Sequence, residues 1–215
     1  MSYTHHDIHG DPIPMPVGKV VCVGRNYAAH AQELNNPLPT QPLLFMKPAT
    51  SLVPFGPSLR TPQGAHFEIE IACLIAAPLS SAVEDEVWPA ISHLGLALDL
   101  TLRDLQSELK EKGHPWERAK AFDGSCPMSP FIPRQNLRTS QLRFGLDIDD
   151  ESRQRGDSDD MLTPIAPLIA EMSQSFSLLP GDIVLTGTPA GVGPLLSGQR
   201  LRAFLEDVEF HSCVS

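Results

Sequence analysis

The sequence has no CxxC pair, no long apolar run and no excess of basic residues, and each absence removes a class of function. Its four cysteines, Cys22, Cys73, Cys126 and Cys213, are widely scattered, so neither a zinc cage nor a disulfide framework is expected. No apolar stretch approaches the roughly 20 residues of a membrane span. The start, MSYTHHDIHGDPIP, lacks a basic stretch leading into an apolar one, which argues against a signal peptide. Lys and Arg number 16 against 26 Asp and Glu, a net charge of -10. Nucleic acid is therefore not the expected partner, because phosphate binding needs clustered Lys and Arg. A soluble, cytoplasmic protein with no membrane partner is the expectation.

What is present fits an ordinary globular protein. The 215 residues, 41% of them hydrophobic and 20% charged, suffice for one domain over 1–215, with an N-terminal arm over 1–17. The 21 prolines cut the chain into short pieces. Lys19–Val23, Leu43–Met46, Ile69–Ile75, Leu94–Leu98, Leu142–Ile148 and Asp182–Thr186 read as strands between turn residues. Ala28–Leu34, Val83–Ile91, Thr101–Lys112 and Pro164–Met172 have helical spacing of apolar positions. In the third of these Thr101 is the expected cap, Leu102, Leu105 and Leu109 the apolar stripe, and Gly113 the stop. Strands outnumber helices without strict alternation, so the expected class is α+β with a β-rich core. The polar stretch Asp147–Asp160 reads as an exposed loop or hairpin tip. It lacks the ligand spacing of a calcium loop.

Chemistry is concentrated in a few places. In His66-Phe67-Glu68-Ile69-Glu70-Ile71, strand alternation points Glu68 and Glu70 to one side, about 6.6 Å apart. That is either a solvated acidic face or half of a cation site. The following ACLIAA run leads into the core, where paired like charges are costly unless neutralised. Asp99 closes the run LGLAL and could be a turn aspartate or a third ligand. Together the three would form an oxygen-only site, favouring Mg2+ or Mn2+ over zinc or copper.

Beyond Asp99, Arg103 and Gln106 share a helix face at i and i+3 and could grip a carboxylate and a keto oxygen. Lys120 sits between Trp116 and Phe122. His30 and Glu33 also lie at i and i+3, either as a surface pair or as an oriented base able to activate water. The segment Gly187-Thr188-Pro189-Ala190-Gly191-Val192-Gly193 lacks the Lys-Ser/Thr ending of a phosphate loop. It could still offer backbone N–H groups and the Thr188 hydroxyl to an anion.

The blocks VVCVGRNYAAHAQE, HFEIEIACLI, LALDLTLRDLQ, PWERAKAFDGSCPMSPF and PGDIVLTGTPAGVGP resemble the fumarylacetoacetate hydrolase family, in its short acylpyruvase-like branch. The resemblance implies a β-rich mixed roll, usually a homodimer. It implies Glu68, Glu70 and Asp99 as ligands of Mg2+, with Mn2+ as a substitute. Arg25, Arg103, Gln106 and Thr188 would contact substrate. His30, Glu33 and Lys120 would be catalytic, with the His–Glu dyad on a mobile segment. One block departs: family members show a loop like NGxxxQxGNTxDMIF where this chain reads DESRQRGDSDDML, so Asp157-Ser158 replaces Asn-Thr. The connections around Gln63 and Gln135–Gln141 also look compact.

The function so implied is Mg2+-dependent hydrolysis of an acylpyruvate to pyruvate and a carboxylic acid, with His30 deprotonating the attacking water. The alternatives on the same metal site are oxaloacetate decarboxylation and oxaloacetate keto–enol tautomerisation, which need no activated water. A non-catalytic metal- or metabolite-binding protein is the rival of another class, and His30, Glu33 and Lys120 together count against it.

Overall fold

A computed structural model describes residues 3–137 and 141–215; part of the Gln135–Gln141 connection thus lies outside the described residues. Every apolar run expected as a strand is one. In the 8-stranded sheet the order is β2 (Leu43–Lys47), β1 (Val20–Gly24), β12 (Ile183–Leu185), β5 (Ile69–Ile75), β6 (Ile91–Leu98), β8 (Cys126–Met128) and β3 (Leu52–Pro54), with β9 (Ile132–Pro133) paired to β6. The β1–β12 and β3–β8 pairs are parallel. An antiparallel sheet runs β11 (Glu151–Asp157), β10 (Arg143–Ile148), β14 (Arg200–Leu205) and β15 (Val208–Cys213). A small third sheet joins β13 (Gly193–Pro194), β4 (Ala65–Phe67) and β7 (Thr101–Leu102). Short helices decorate these sheets: α1 (Ala28–Glu33), α2 (Glu84–Ala90), α3 (Arg103–Glu111), α4 (Glu117–Lys120) and α5 (Ile165–Ser175). The expected α+β, β-rich mixed roll is what forms.

Strand β5 is buried throughout and divides the core. Its residues alternate faces, so Ile69, Ile71, Cys73 and Ile75 join the larger cluster with Leu96, Leu98, Phe144 and Leu146. Ala72 and Leu74 join a smaller cluster with Val20, Cys22, Phe131 and Ile183. Glu70 shares the face of Ala72 and Leu74, which sets a carboxylate beside apolar side chains with almost none of it exposed. The N-terminal segment lies against the same body: Ile8 N–H donates to Phe131 O at 3.0 Å, and Gly18 N–H to Gly181 O at 3.1 Å. Among the described residues no helix is long and apolar enough to cross a membrane.

Local expectations are corrected in three places. Helix α3 begins at Arg103 with Leu102 in the capping position, and Thr101 lies in β7. The Thr101 hydroxyl donates to the Glu68 carboxylate instead, at 3.1 Å. The strand through Glu68 is not continuous. It breaks there, β4 leaving for the third sheet and β5 entering the large one. Finally, 147–160 takes the hairpin form, one of the two expected for it, but it is not exposed throughout. Its tip is Asp149-Asp150, both with positive φ, as a tight hairpin turn requires. Asp147 is buried between Arg155 and Arg202, and β11 carries the buried Gln154.

Candidate functional site

The antiparallel pairing of β5 with β6 sets Ile69 opposite Leu98 and Glu70 opposite Ala97. The break at Glu68 and the end of β6 then meet, because Asp99 N–H donates to Glu68 O at 2.8 Å. Glu68, Glu70 and Asp99 therefore converge, with one oxygen of each lying within 4.8 Å of the others. Their relative exposures are 4%, 1% and 1%. Three carboxylates this deep need compensation.

Part of it comes from the chain's own cations. Lys120 Nζ lies 2.9 Å from Glu68 Oε2 and 2.6 Å from Asp99 Oδ2. Arg103 pairs with Glu68 Oε1 and donates to Gln106 Oε1 at 2.9 Å. Burial alone would lower the Lys120 ammonium, but Asp99 and Glu68 hold its pKa well above the ordinary value. Burial would likewise raise Glu68, yet Lys120, Arg103 and His30 outweigh it and keep the carboxyl well below the usual range. Glu70 is different. Burial, then Asp99 and Glu68, push its pKa far up, opposed chiefly by Lys120 and the Gly187 N–H at 2.7 Å.

The donor set fits a divalent cation. The oxygens are hard and mutually close, and Glu70 lacks an ion-pair partner among the described residues. Asp99 Oδ1 is close to Lys47 Nζ at 2.8 Å, yet no donor proton is aimed at it. Lys47 turns its hydrogens to the carbonyls of Leu100, Lys120 and Ser125 instead.

A cleft of about 410 Å³, including space open to solvent, lies over the triad. Arg25, His30, Arg103, Gln106, Lys120 and Thr188 all line it, so the expected site residues other than Glu33 face one space with the triad. His30 is buried, and burial lowers its pKa; Glu68 opposes this while Arg103 and Lys120 reinforce it. Its Nδ1 is 3.6 Å from Glu33 Oε2, too far for a hydrogen bond. The Glu33 carboxylate instead accepts the Gly191 N–H, both oxygens at 3.1 Å.

The Thr188 hydroxyl donates to Ile69 O at 2.9 Å and accepts from Gln154 Nε2 at 2.8 Å. The N–H groups of Gly187 and Gly191 are thus taken by protein carboxylates rather than held free for an anion. Gly187 has φ of 95°, and a Cβ there would come within 2.7 Å of Asn26 Cβ, so only glycine brings its N–H to Glu70 without strain.

Sequence reasoning missed Lys47, Lys110 and Gln154. Lys47 closes the apolar strand LLFMK just before Pro48, and a lysine ending a buried strand is a readable signal. Gln154 hides inside the divergent polar stretch, where its Oε1 accepts the Ile69 N–H at 2.9 Å. The replaced pair Asp157-Ser158 does not line the cleft. Asp157 accepts from Asp159 N–H and Ser158 Oγ from Leu142 N–H.

The family model described as fumarylacetoacetate (FAA) hydrolase C-terminal matches residues 19–212. An oxaloacetate tautomerase of Escherichia coli (strain K12) is 48% identical over 204 residues, spanning 93% of each chain. A solved fumarylacetoacetate hydrolase family protein from Yersinia pestis CO92 superposes with a TM-score of 0.97 at 48% identity, covering 99% of this chain and 100% of that one. A fumarylpyruvate hydrolase from Pseudomonas aeruginosa, in complex with Mn2+ and pyruvate, gives 0.90 at 35% identity, covering 100% and 96%.

Proposed function

This chain belongs to the fumarylacetoacetate hydrolase family, and from that premise we propose that it is a divalent-metal-dependent enzyme interconverting the keto and enol forms of oxaloacetate. The observation that carries the proposal is the buried carboxylate triad under a cleft lined with Arg103, Lys120 and His30, in a chain 48% identical to an oxaloacetate tautomerase. That relationship favours tautomerisation over the acylpyruvate hydrolysis expected first.

Glu68, Glu70 and Asp99 would hold Mg2+ or Mn2+, and the bound ion would supply Lewis-acid chemistry toward a 2-keto oxygen. Charge bookkeeping suits the substrate. The three carboxylates face three cations, Lys47, Lys120 and Arg103, so a divalent ion would leave the buried end net positive toward an anionic substrate. Arg103, oriented by Gln106, grips the 1-carboxylate. Lys120 stays protonated and places its charge where negative charge develops on the keto oxygen. His30, kept neutral by burial, takes a proton from C3 and returns it to oxygen, so C2=O becomes C2–OH as the C2–C3 double bond forms. No water enters the balance.

Acylpyruvate hydrolysis stands as a second reading, favoured by the likeness to the fumarylpyruvate hydrolase. By the family resemblance we also propose a cytoplasmic homodimer acting on a small 2-keto acid. The test is spectrophotometric. With Mn2+ or Mg2+, the protein should speed the decay of enol-oxaloacetate absorbance without releasing pyruvate. Pyruvate appearing in step with the decay would replace tautomerisation by decarboxylation. An unaltered decay would remove oxaloacetate chemistry altogether.

A further inference from the structure

Lys110 takes no part in the site as described, although α3 carries it there. It follows Arg103 and Gln106 at i+7 and i+4, so all three lie along one helix face. It lines the same cleft, farther from the buried triad and half exposed. Its Nζ stands 5.1 Å from the centroid of the Trp116 ring, which fixes an otherwise flexible ammonium over an aromatic face. Among the described residues no carboxylate pairs with it.

Arg25 lines the cleft as well, from a backbone held at φ of 61°, a conformation uncommon for a residue with a side chain. Among the described residues its guanidinium donates to Pro37 O alone, at 3.4 Å. The buried end of the cleft thus has its charges matched, whereas the outer end presents two cations with no ion-pair partner among the described residues. The crowding is felt at Lys110: burial, then Arg25, Arg103 and Lys120, lower its pKa to about 8, against the opposing pull of Glu68.

We propose that Lys110, together with Arg25, receives the second carboxylate of a dicarboxylic 2-keto acid and so selects such substrates over singly charged acylpyruvates. The assignment rests on the tautomerase reading, which sets the 1-carboxylate and 2-keto oxygen at the Arg103 and Lys120 end. The 4-carboxylate then extends outward along the α3 face. An anion there supplies the missing counter-charge, and the half-buried setting makes each charge-assisted bond strong.

The experiment compares the wild type with Lys110→Met and Lys110→Arg on oxaloacetate and on its C4 methyl ester, which lacks the outer charge. Lys110→Met should raise KM for oxaloacetate about 10- to 100-fold, the loss expected for one charge-assisted hydrogen bond. It should leave kcat within about threefold and ester turnover unchanged. Unchanged ester turnover also establishes that the variant is folded. Lys110→Arg should keep most of the oxaloacetate affinity. A KM for oxaloacetate that does not move, or one that rises equally for the ester, would overturn the subsite while leaving tautomerase activity intact. Wild-type protein inert toward oxaloacetate would overturn both.

Discussion

His30 and Glu33 are neighbours on one face of α1, but the 3.6 Å gap and the Gly191 contact make them unequal. In the proposed tautomerisation His30 would move the proton and Glu33 would chiefly hold α1 against the glycine-rich loop. His30→Ala should therefore lower kcat on enol-oxaloacetate by about 100-fold or more, as loss of a general base does. Glu33→Gln should cost less than about tenfold. Equal losses, read from the same absorbance assay, would restore the paired base that hydrolysis requires. Lys110 makes a separate prediction through its pKa of about 8. The ammonium is charged below that value, so kcat/KM for oxaloacetate should fall as pH rises through about 8. The Lys110→Met profile should lack that limb.

At the scale of elements, the glycine-rich turn after β12 joins the two halves of the site. Gly187 reaches Glu70 and Gly191 reaches Glu33, both through backbone that a side chain disfavours. Gly187→Ala should lower stability by about 1–3 kcal/mol, seen as an earlier denaturant midpoint, and should weaken metal binding as Glu70 is displaced. Much of this scale was legible in advance. Apolar runs bounded by turns marked the long strands, and Glu68, Glu70 and Asp99 were marked as carboxylates that could gather in one place, as they do. Three things were not. Thr101 has the local signature of a cap, but its hydroxyl is drawn to Glu68 by a contact made 33 residues away. The short strands β7 and β13 exist only as partners of β4, so no local pattern announces them. Gln154 is buried within a mostly exposed strand by side-chain hydrogen bonds to Ile69, Thr188 and Pro189, partners that no pattern within the stretch reveals.

The whole molecule carries a net charge of -10, yet its cleft gathers Arg25, Arg103, Lys110 and Lys120 around the triad. Such a cationic pocket in an acidic body draws anions specifically to the site and discourages polyanions elsewhere. The same arrangement couples folding to the metal. Without an ion, the raised pKa of Glu70 means that its ionisation opposes the fold. That group's contribution is fully present below its unfolded pKa and is lost as pH rises. A divalent cation reverses this by favouring the charged carboxylate. Saturating Mg2+ or Mn2+ at about 100 times Kd should add about 2.7 kcal/mol, or about 5–10 °C in Tm for a chain of this size. At one fixed ion concentration the gain should be larger at pH 8 than at pH 5.5, because protons compete for Glu70 at the lower pH and raise the apparent Kd. In Glu70→Gln the chelated protein should melt no lower than chelated wild type, while the metal-induced rise should disappear. Calorimetric scans with chelator or either ion measure both quantities, and a full metal-induced rise in Glu70→Gln would remove Glu70 from the ligand set.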